Sequence, residues 1–302
     1  MSAARPVETW LAEADTSQEL KARLETARRI REFASRSLAL PDNGSYRSYA
    51  ELGRPYAVWN VFAAPEFSVE PKRECFPIAG CVGYVGFFSE DSARRRAAQL
   101  KAQAYDVYIG GVPAYSTLGW FDDPLLSTFI RYPDVQLARL VFHELAHQLV
   151  YVPGDSAFNE SFAVAVEEEG VARWLAAEGR AGELAAFRSA QTRRRQFADK
   201  VKEVRTRLAR LYNEKSVSRE FLLNEKRAEF EKLRAEYPKA VPAEPNNAFL
   251  VSVALYTELV PEFERLLRES GSLEAFYARA RALAARPAGE RRFTTEGYRP
   301  PS

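Results

Sequence analysis

Histidine is nearly absent: the 302 residues contain two, His143 and His147. A site built from three imidazoles is therefore excluded. Cysteine is equally scarce, with only Cys75 and Cys81. Their spacing does not match a zinc knuckle, and two cysteines cannot make a disulfide-rich scaffold. The pair reads either as one short disulfide loop or as two reduced thiols. No apolar run reaches the roughly 18 residues of a membrane-spanning helix. The stretch Met1-Ser2-Ala3-Ala4-Arg5-Pro6 lacks the apolar core of a signal peptide, which implies a cytoplasmic protein or a chain whose leader has been removed. An excess of one charge is missing too. Lys and Arg number 43 against 41 Asp and Glu, so no global field draws the chain to nucleic acid or an anionic membrane.

What is present is globular. Apolar residues make up 46% and charged residues 28%, which excludes disorder as an overall description. The length suits one large domain or two modest ones. Apolar residues at three- and four-residue steps predict a helix over 8–38. Val58–Phe62, Val82–Phe88 and Asp106–Val112 are rich in β-branched and aromatic residues and predict strands. Ser89 caps a helix to Ala104, and Gly119–Pro124 forms a turn. An apolar helix is expected over Val135–Val152, broken by Pro153-Gly154, with a second over Ser156–Ala177. Residues 182–237 mix Arg, Lys and Glu at helical spacing and predict an inserted, long charged helical hairpin, solvated on its surface, turning near Ser216-Val217-Ser218. A linker follows over 238–245, then helices over Asn246–Arg268 and Ser272–Ala285, and a polar tail over 287–302 that is expected to be flexible. The order predicts an α+β fold, mostly helical, with a small sheet in the N-terminal half, in a single domain over 1–302.

Both histidines fall in His143-Glu144-Leu145-Ala146-His147. On a helix, residues four apart share a face, so both imidazoles can hold one metal ion. Glu144, next to the first, can reach a water held there and act as general base. A catalytic zinc keeps three protein ligands. With no histidine left and the cysteines distant, the third ligand is expected among Asp155, Glu160, Glu167, Glu168 and Glu169. Glu160 is preferred, because an antiparallel return of the second helix brings its start beside the end of the first. Asp155 stands as the alternative ligand or as a helix cap. Glu167, on the same face as Glu160, is expected to orient a ligand histidine or to belong to a solvated acidic cluster. Two imidazoles and a carboxylate favour zinc, one per chain.

His-Glu-Leu-Ala-His-Gln followed by Asn159-Glu160-Ser161-Phe162-Ala163 resembles the gluzincin metallopeptidases, the group that includes aminopeptidase N. Val107–Pro124, Cys75–Cys81 and Pro245-Asn246-Asn247-Ala248 resemble a bacterial family of aminopeptidases over most of the chain. The resemblance implies a zincin-like core, His143, His147 and Glu160 as zinc ligands, and Glu144 as the base in peptide hydrolysis. It also implies a periplasmic or membrane-anchored location, with a lipid anchor in a longer precursor. Tyr256 and Tyr115 are candidate oxyanion donors, with Tyr256 preferred. Gly110, Gly111 and Tyr115 on the strand before the zinc helix, with Asn246 and Asn247, are candidate substrate contacts. Asp122 or Asp123, or Glu167, would supply the charge an aminopeptidase needs for the substrate ammonium; otherwise Asp122-Asp123-Pro124 is a turn. A zinc endopeptidase and a non-catalytic scaffold using the hairpin are the alternatives.

Overall fold

The computed structural model describes residues 4–76, 80–287 and 291. The expected disposition of 292–302, and the Pro77-Ile78-Ala79 part of the resemblance, lie outside them. In chain order the elements are β1 (Arg5–Pro6), α1 (Val7–Ala12), α2 (Gln18–Leu38), β2 (Ser48–Ala50), β3 (Val58–Pro65), β4 (Glu74–Phe76), β5 (Gly80–Val82) and β6 (Tyr84–Phe87). Then follow α3 (Glu90–Ala102), β7 (Tyr105–Val112), β8 (Leu125–Leu126), α4 (Asp134–His147), α5 (Ser156–Ala177), α6 (Ala181–Tyr212), α7 (Arg219–Glu236), α8 (Asn247–Thr257), α9 (Val260–Ser270) and α10 (Leu273–Ala284). The fold is α+β and mostly helical.

The helix expected over 8–38 is two helices. Ser17 accepts from the Leu20 amide and restarts the chain as α2, because a serine hydroxyl satisfies an amide that has no partner in the first turn. The strand expected over Val82–Phe88 divides at Gly83. Its first part pairs with β4, where Cys75 and Cys81 stand opposite each other and are joined by a disulfide. Its second part joins the antiparallel sheet β6-β3-β7. The helix expected over Val135–Val152 ends at His147. That expected over Asn246–Arg268 breaks between α8 and α9 just before Pro261, which has no amide to give a continuous helix.

Strand β3 is central in its sheet and buried along almost its whole length. Side chains alternate across a strand. Trp59, Val61 and Ala63 pack with Ala93, Ala97 and Leu100 of α3. Phe62 faces the other way, onto Tyr84 and Tyr108, and Tyr108 in turn meets Phe249 of α8. Asn60 shares that second face.

The largest core joins α2, α4, α5, α9 and α10. In α4, Leu137, Ala138, Val141, Phe142, Leu145 and Ala146 are fully buried and anchor the helix rigidly. Where α5 crosses α2 and α4, Gly170 has no room for a side chain. A Cβ there would lie 2.8 Å from both Leu38 Cδ1 and Phe142 Cδ2. Gly170→Val should therefore cost about 1–3 kcal/mol of stability by overpacking, read as a lower urea midpoint.

The hairpin of α6 and α7 is more than a solvated arm. Val201, Val204, Leu208, Phe230 and Leu233 form a second core with Val69, Phe249 and Leu250. The buried Lys226 of α7 donates to the Asp106 carboxylate at 2.6 Å and to the Glu66 carbonyl at 2.9 Å. Its base is tied as well, through Arg195 to Glu168 and Glu264. Among the described residues no helix is long and apolar enough to cross a membrane.

Candidate metal centre

The apolar stripe of α4 turns one face to the core and leaves His143 and His147 on the face toward α5. The 148–155 return is short, and Asn159 locks it. Its Oδ1 accepts from the Val152 amide at 2.8 Å and its Nδ2 donates to the Val152 carbonyl at 2.9 Å. Asp155 caps α5 by accepting from the Phe158 amide at 3.1 Å and pairs with Arg291. Asp155 is thus occupied as a cap, and the next turn of α5 delivers Glu160.

Three donor atoms converge. His143 Nε2 lies 3.1 Å from His147 Nε2 and 3.2 Å from Glu160 Oε2, and His147 Nε2 lies 3.8 Å from the same oxygen. Ligands about 2.0–2.1 Å from a tetrahedral ion stand roughly 3.3–3.4 Å apart, so the set is spaced for one small cation. His143, His147 and Glu160 are a group able to hold a metal ion.

The other ring nitrogen of His143 lies 3.0 Å from Glu167 Oε2, and Arg139 clamps the far oxygen of Glu167 through Nε at 2.8 Å and a terminal nitrogen. Glu167 is therefore buried against His143 and Arg139 rather than part of a solvated cluster. Arg139 was not anticipated, although an arginine one turn before His143 on so apolar a helix is a readable sign of a buried partner.

The electrostatics follow from burial and these pairs. Burial alone would raise Glu160, but the two imidazoles outweigh it and hold the carboxyl below its usual range. Glu167 is likewise buried, and Arg139 and His143 keep it ionised. Burial opposes charge on His143, yet its hydrogen bonds to Glu160 and Glu167 push its pKa well above the ordinary value. His147 has no such hydrogen bond to a carboxylate: burial outweighs the pull of Glu160 and brings it down to about 4, so its ring stays neutral. Burial first, and then Glu160 and other nearby carboxylates against the pull of His143, brings Glu144 up to about 7.

These groups open on a cleft of about 330 Å³ between α4, α5, α8 and the sheet. Tyr256 and Tyr115 line it, as do Asn60, Tyr84 and Tyr151, which were not anticipated. Asn60 is legible in retrospect as a polar residue interrupting an apolar strand. The Tyr84 and Tyr256 phenols are raised well above their usual pKa by burial and then by Glu160, which keeps both protonated as donors.

Other expected contacts lie elsewhere. Gly110 and Gly111 are not among the cleft-lining residues. A Cβ on Gly111 would strike the Tyr56 ring at 2.4 Å, so that glycine accommodates an aromatic neighbour. The cleft is lined instead by the segment just beyond, Val112, Ala114, Tyr115 and Ser116. Asn246 caps α8 and donates to the Val107 carbonyl at 3.0 Å. Asn247 is fully buried, donating to the Glu66 carbonyl at 2.9 Å and accepting from the Tyr212 hydroxyl at 3.1 Å. Both asparagines bind α8 to the sheet and hairpin, because buried amides must find partners in the fold. Asp123 is buried, accepting from the Thr117 amide at 2.9 Å, and Asp122 packs over Gly44. The pair serves the turn.

A family model described as "Putative aminopeptidase" matches residues 1–294. No curated protein and no solved structure matches the chain.

Proposed function

The chain belongs to that aminopeptidase family, and on this premise we propose that it is a zinc-dependent peptidase of the gluzincin type acting on peptide N-termini. The observation that carries the reading is the convergence of two imidazole nitrogens and one carboxylate oxygen beside a buried glutamate at the floor of a cleft. The donor set fits zinc: two nitrogens, one of them on a ring kept neutral, and an ionised oxygen. A proton held on His143 balances the Glu160 carboxylate, a charge that a cation held by His143, His147 and Glu160 would balance in its place.

When bound, zinc supplies Lewis acidity, polarising a carbonyl and acidifying water. Glu144 takes the proton from the attacking water and passes it to the leaving amine, a task suited to a carboxyl raised to about 7. Tyr256 and Tyr84 present protonated hydroxyls to the oxygen that becomes anionic. The Val112–Ser116 segment lies along the cleft where an extended peptide backbone would run. Glu167, clamped by Arg139, holds the His143 ring in one orientation. Glu167→Gln should weaken zinc binding by about 10–100-fold, measured by competition with a chelator. The disulfide suits an oxidising compartment, consistent with a periplasmic or membrane-anchored protein.

A second reading, an endopeptidase, is favoured by one observation. Among the described residues the carboxylates lining the cleft, Glu144 and Glu160, are both committed to the reaction centre, and Asp123 is committed to Thr117. The test is hydrolysis of matched peptides with free and acetylated N-termini, alongside zinc content by mass spectrometry. Cleavage of free peptides alone supports the aminopeptidase; equal cleavage of both supports the endopeptidase. Failure to hold zinc, or to cleave either peptide with zinc supplied, overturns the peptidase and leaves the non-catalytic scaffold.

A further inference from the structure

The face of the sheet that looks into the cleft is laid out in three rows. Strand pairing sets Tyr84, Phe62 and Tyr108 in one row and Gly86, Asn60 and Gly110 in the next, with Val58 and Val112 in the third. Residues two apart on a strand share a face, so the three rows stand on one side of the sheet. The rings of the first row meet, Phe62 with Tyr84 at 5.2 Å and with Tyr108 at 6.1 Å between centroids. The middle row carries two glycines and one amide, and so forms a trough between an aromatic ridge and an aliphatic one. At Gly86 the trough is exposed, and Gly86, Val58, Asn60 and Tyr84 all line the cleft of the metal centre.

The rim beyond Gly86 is aromatic as well. Phe88, two residues on, is 60% exposed and sets its ring edge-on to Tyr115, with centroids 5.4 Å apart, and Tyr115 lines the cleft. A Cβ on Gly86 would lie 3.0 Å from Val58 Cγ1 and 3.1 Å from Asn60 Oδ1, so even alanine would crowd the floor. Asn60, buried in the middle of an apolar strand, places an amide on that floor beside Tyr256, where it can pair with a peptide group. Among the described residues the charge-bearing side chains lining the cleft are His143, Glu144, His147 and Glu160, all of them at the metal centre. A charged ligand side chain over Gly86 would find no counter-ion there and would be costly to desolvate. An apolar one gains from leaving water.

We propose that the trough over Gly86 is a side-chain subsite for a bulky apolar residue, such as leucine or phenylalanine, flanking the peptide bond that is cleaved. The inference rests on the peptidase reading for the identity of its ligand. Tyr84 and the Phe88–Tyr115 pair are the walls of the subsite, and Val58 is its floor. Gly86 is the specificity-determining residue, because the side chain it lacks is the room that the ligand fills. The floor and one wall belong to the sheet, so the subsite exists before substrate arrives and its selectivity is that of a preformed apolar pocket.

The test uses the full zinc-loaded chain and peptides in which the residue on each side of the bond is varied in turn among alanine, leucine, phenylalanine, aspartate and lysine. At one of the two positions kcat/KM for leucine or phenylalanine should exceed that for alanine by about 10–200-fold, with aspartate and lysine below alanine. Gly86→Ala should lower that ratio by about 10-fold or more. Phe88→Ala changes an exposed wall rather than the floor, and should lower the ratio for phenylalanine by about 2–10-fold. A wild type with no apolar preference at either position overturns the subsite, and so does a folded Gly86→Ala that keeps the wild-type ratio. If Gly86→Ala does not fold, Phe88→Ala decides in its place, and an unmoved ratio there overturns the subsite. If the wild type cleaves no peptide, the probe is 4-fluorophenylalaninol, which has no bond to cleave, followed by the broadening of its fluorine resonance as protein is added. Broadening that the deciding variant reduces upholds the subsite and overturns the peptidase reading. Absent broadening, or broadening equal in wild type and variant, overturns the subsite.

Discussion

Glu144→Gln should lower peptide hydrolysis by about 10²–10⁴-fold while leaving zinc bound, with metal content and thermal midpoint the controls. Glutamine keeps the volume and one carbonyl oxygen of the side chain, so the packing of α4 is preserved. It cannot accept a proton at neutral pH. Glu144 is not one of the three converging donors, so metal retention should be unaffected. The unfolding midpoint should hold or rise, because a carboxyl that burial raises to about 7 gains little by being ionised in the fold. A variant that hydrolyses peptides at the wild-type rate would remove Glu144 from the reaction and direct attention to Tyr84 or Tyr256. Loss of zinc together with activity would show that Glu144 supports the site rather than the chemistry.

Glu160→Ala should release the metal. The carboxylate is the charged member of the donor set and is buried between the two imidazoles. Removing one partner of a buried ionic set costs about 3–5 kcal/mol. At about 1.4 kcal/mol per decade that is a loss of zinc affinity of roughly 10²–10⁴-fold. Equilibrium dialysis with a zinc indicator measures it directly. Asp155→Ala is the matched comparison. It should keep zinc and lose only about 1 kcal/mol of stability, because Asp155 caps α5. Zinc retained in Glu160→Ala and lost in Asp155→Ala would reverse the two assignments. Unfolding both variants in the presence of chelator separates the metal's contribution from that of the Glu160–His143 pair, which also exists without metal.

The sequence by itself determined the parts of this protein that depend on local periodicity and on residue scarcity. Two histidines four apart on an apolar helix can only lie on one face, so the pairing of His143 and His147 was legible without a fold. So was the expectation of a carboxylate as the third donor, since no other histidine existed. Helix α5 was readable to its end residues, because Asp155 and the Pro153-Gly154 break are local signals. The two long helices of the hairpin were readable for the same reason.

Tertiary structure decided everything that depends on where an element is placed. Asn246 and Asn247 carry no local sign that distinguishes a substrate contact from an anchor; only the approach of α8 to β3, β7 and Tyr212 makes them anchors. Gly111 admits a close neighbour in either reading, and the fold supplies the Tyr56 ring rather than a peptide. Glu167 could face solvent or His143, and the packing of α5 on α4 beside Arg139 chose His143. The loop that carries Tyr46 is held by groups distant in the chain, Arg31 at the Ser45 carbonyl, Asp123 at the Tyr46 amide and Gln148 at the Ser45 hydroxyl. Hydrophobic period and local capping act over a few residues and are written in the sequence. A charge, a hydroxyl or a glycine takes its role from the group set opposite it, and that group comes from a distant part of the chain.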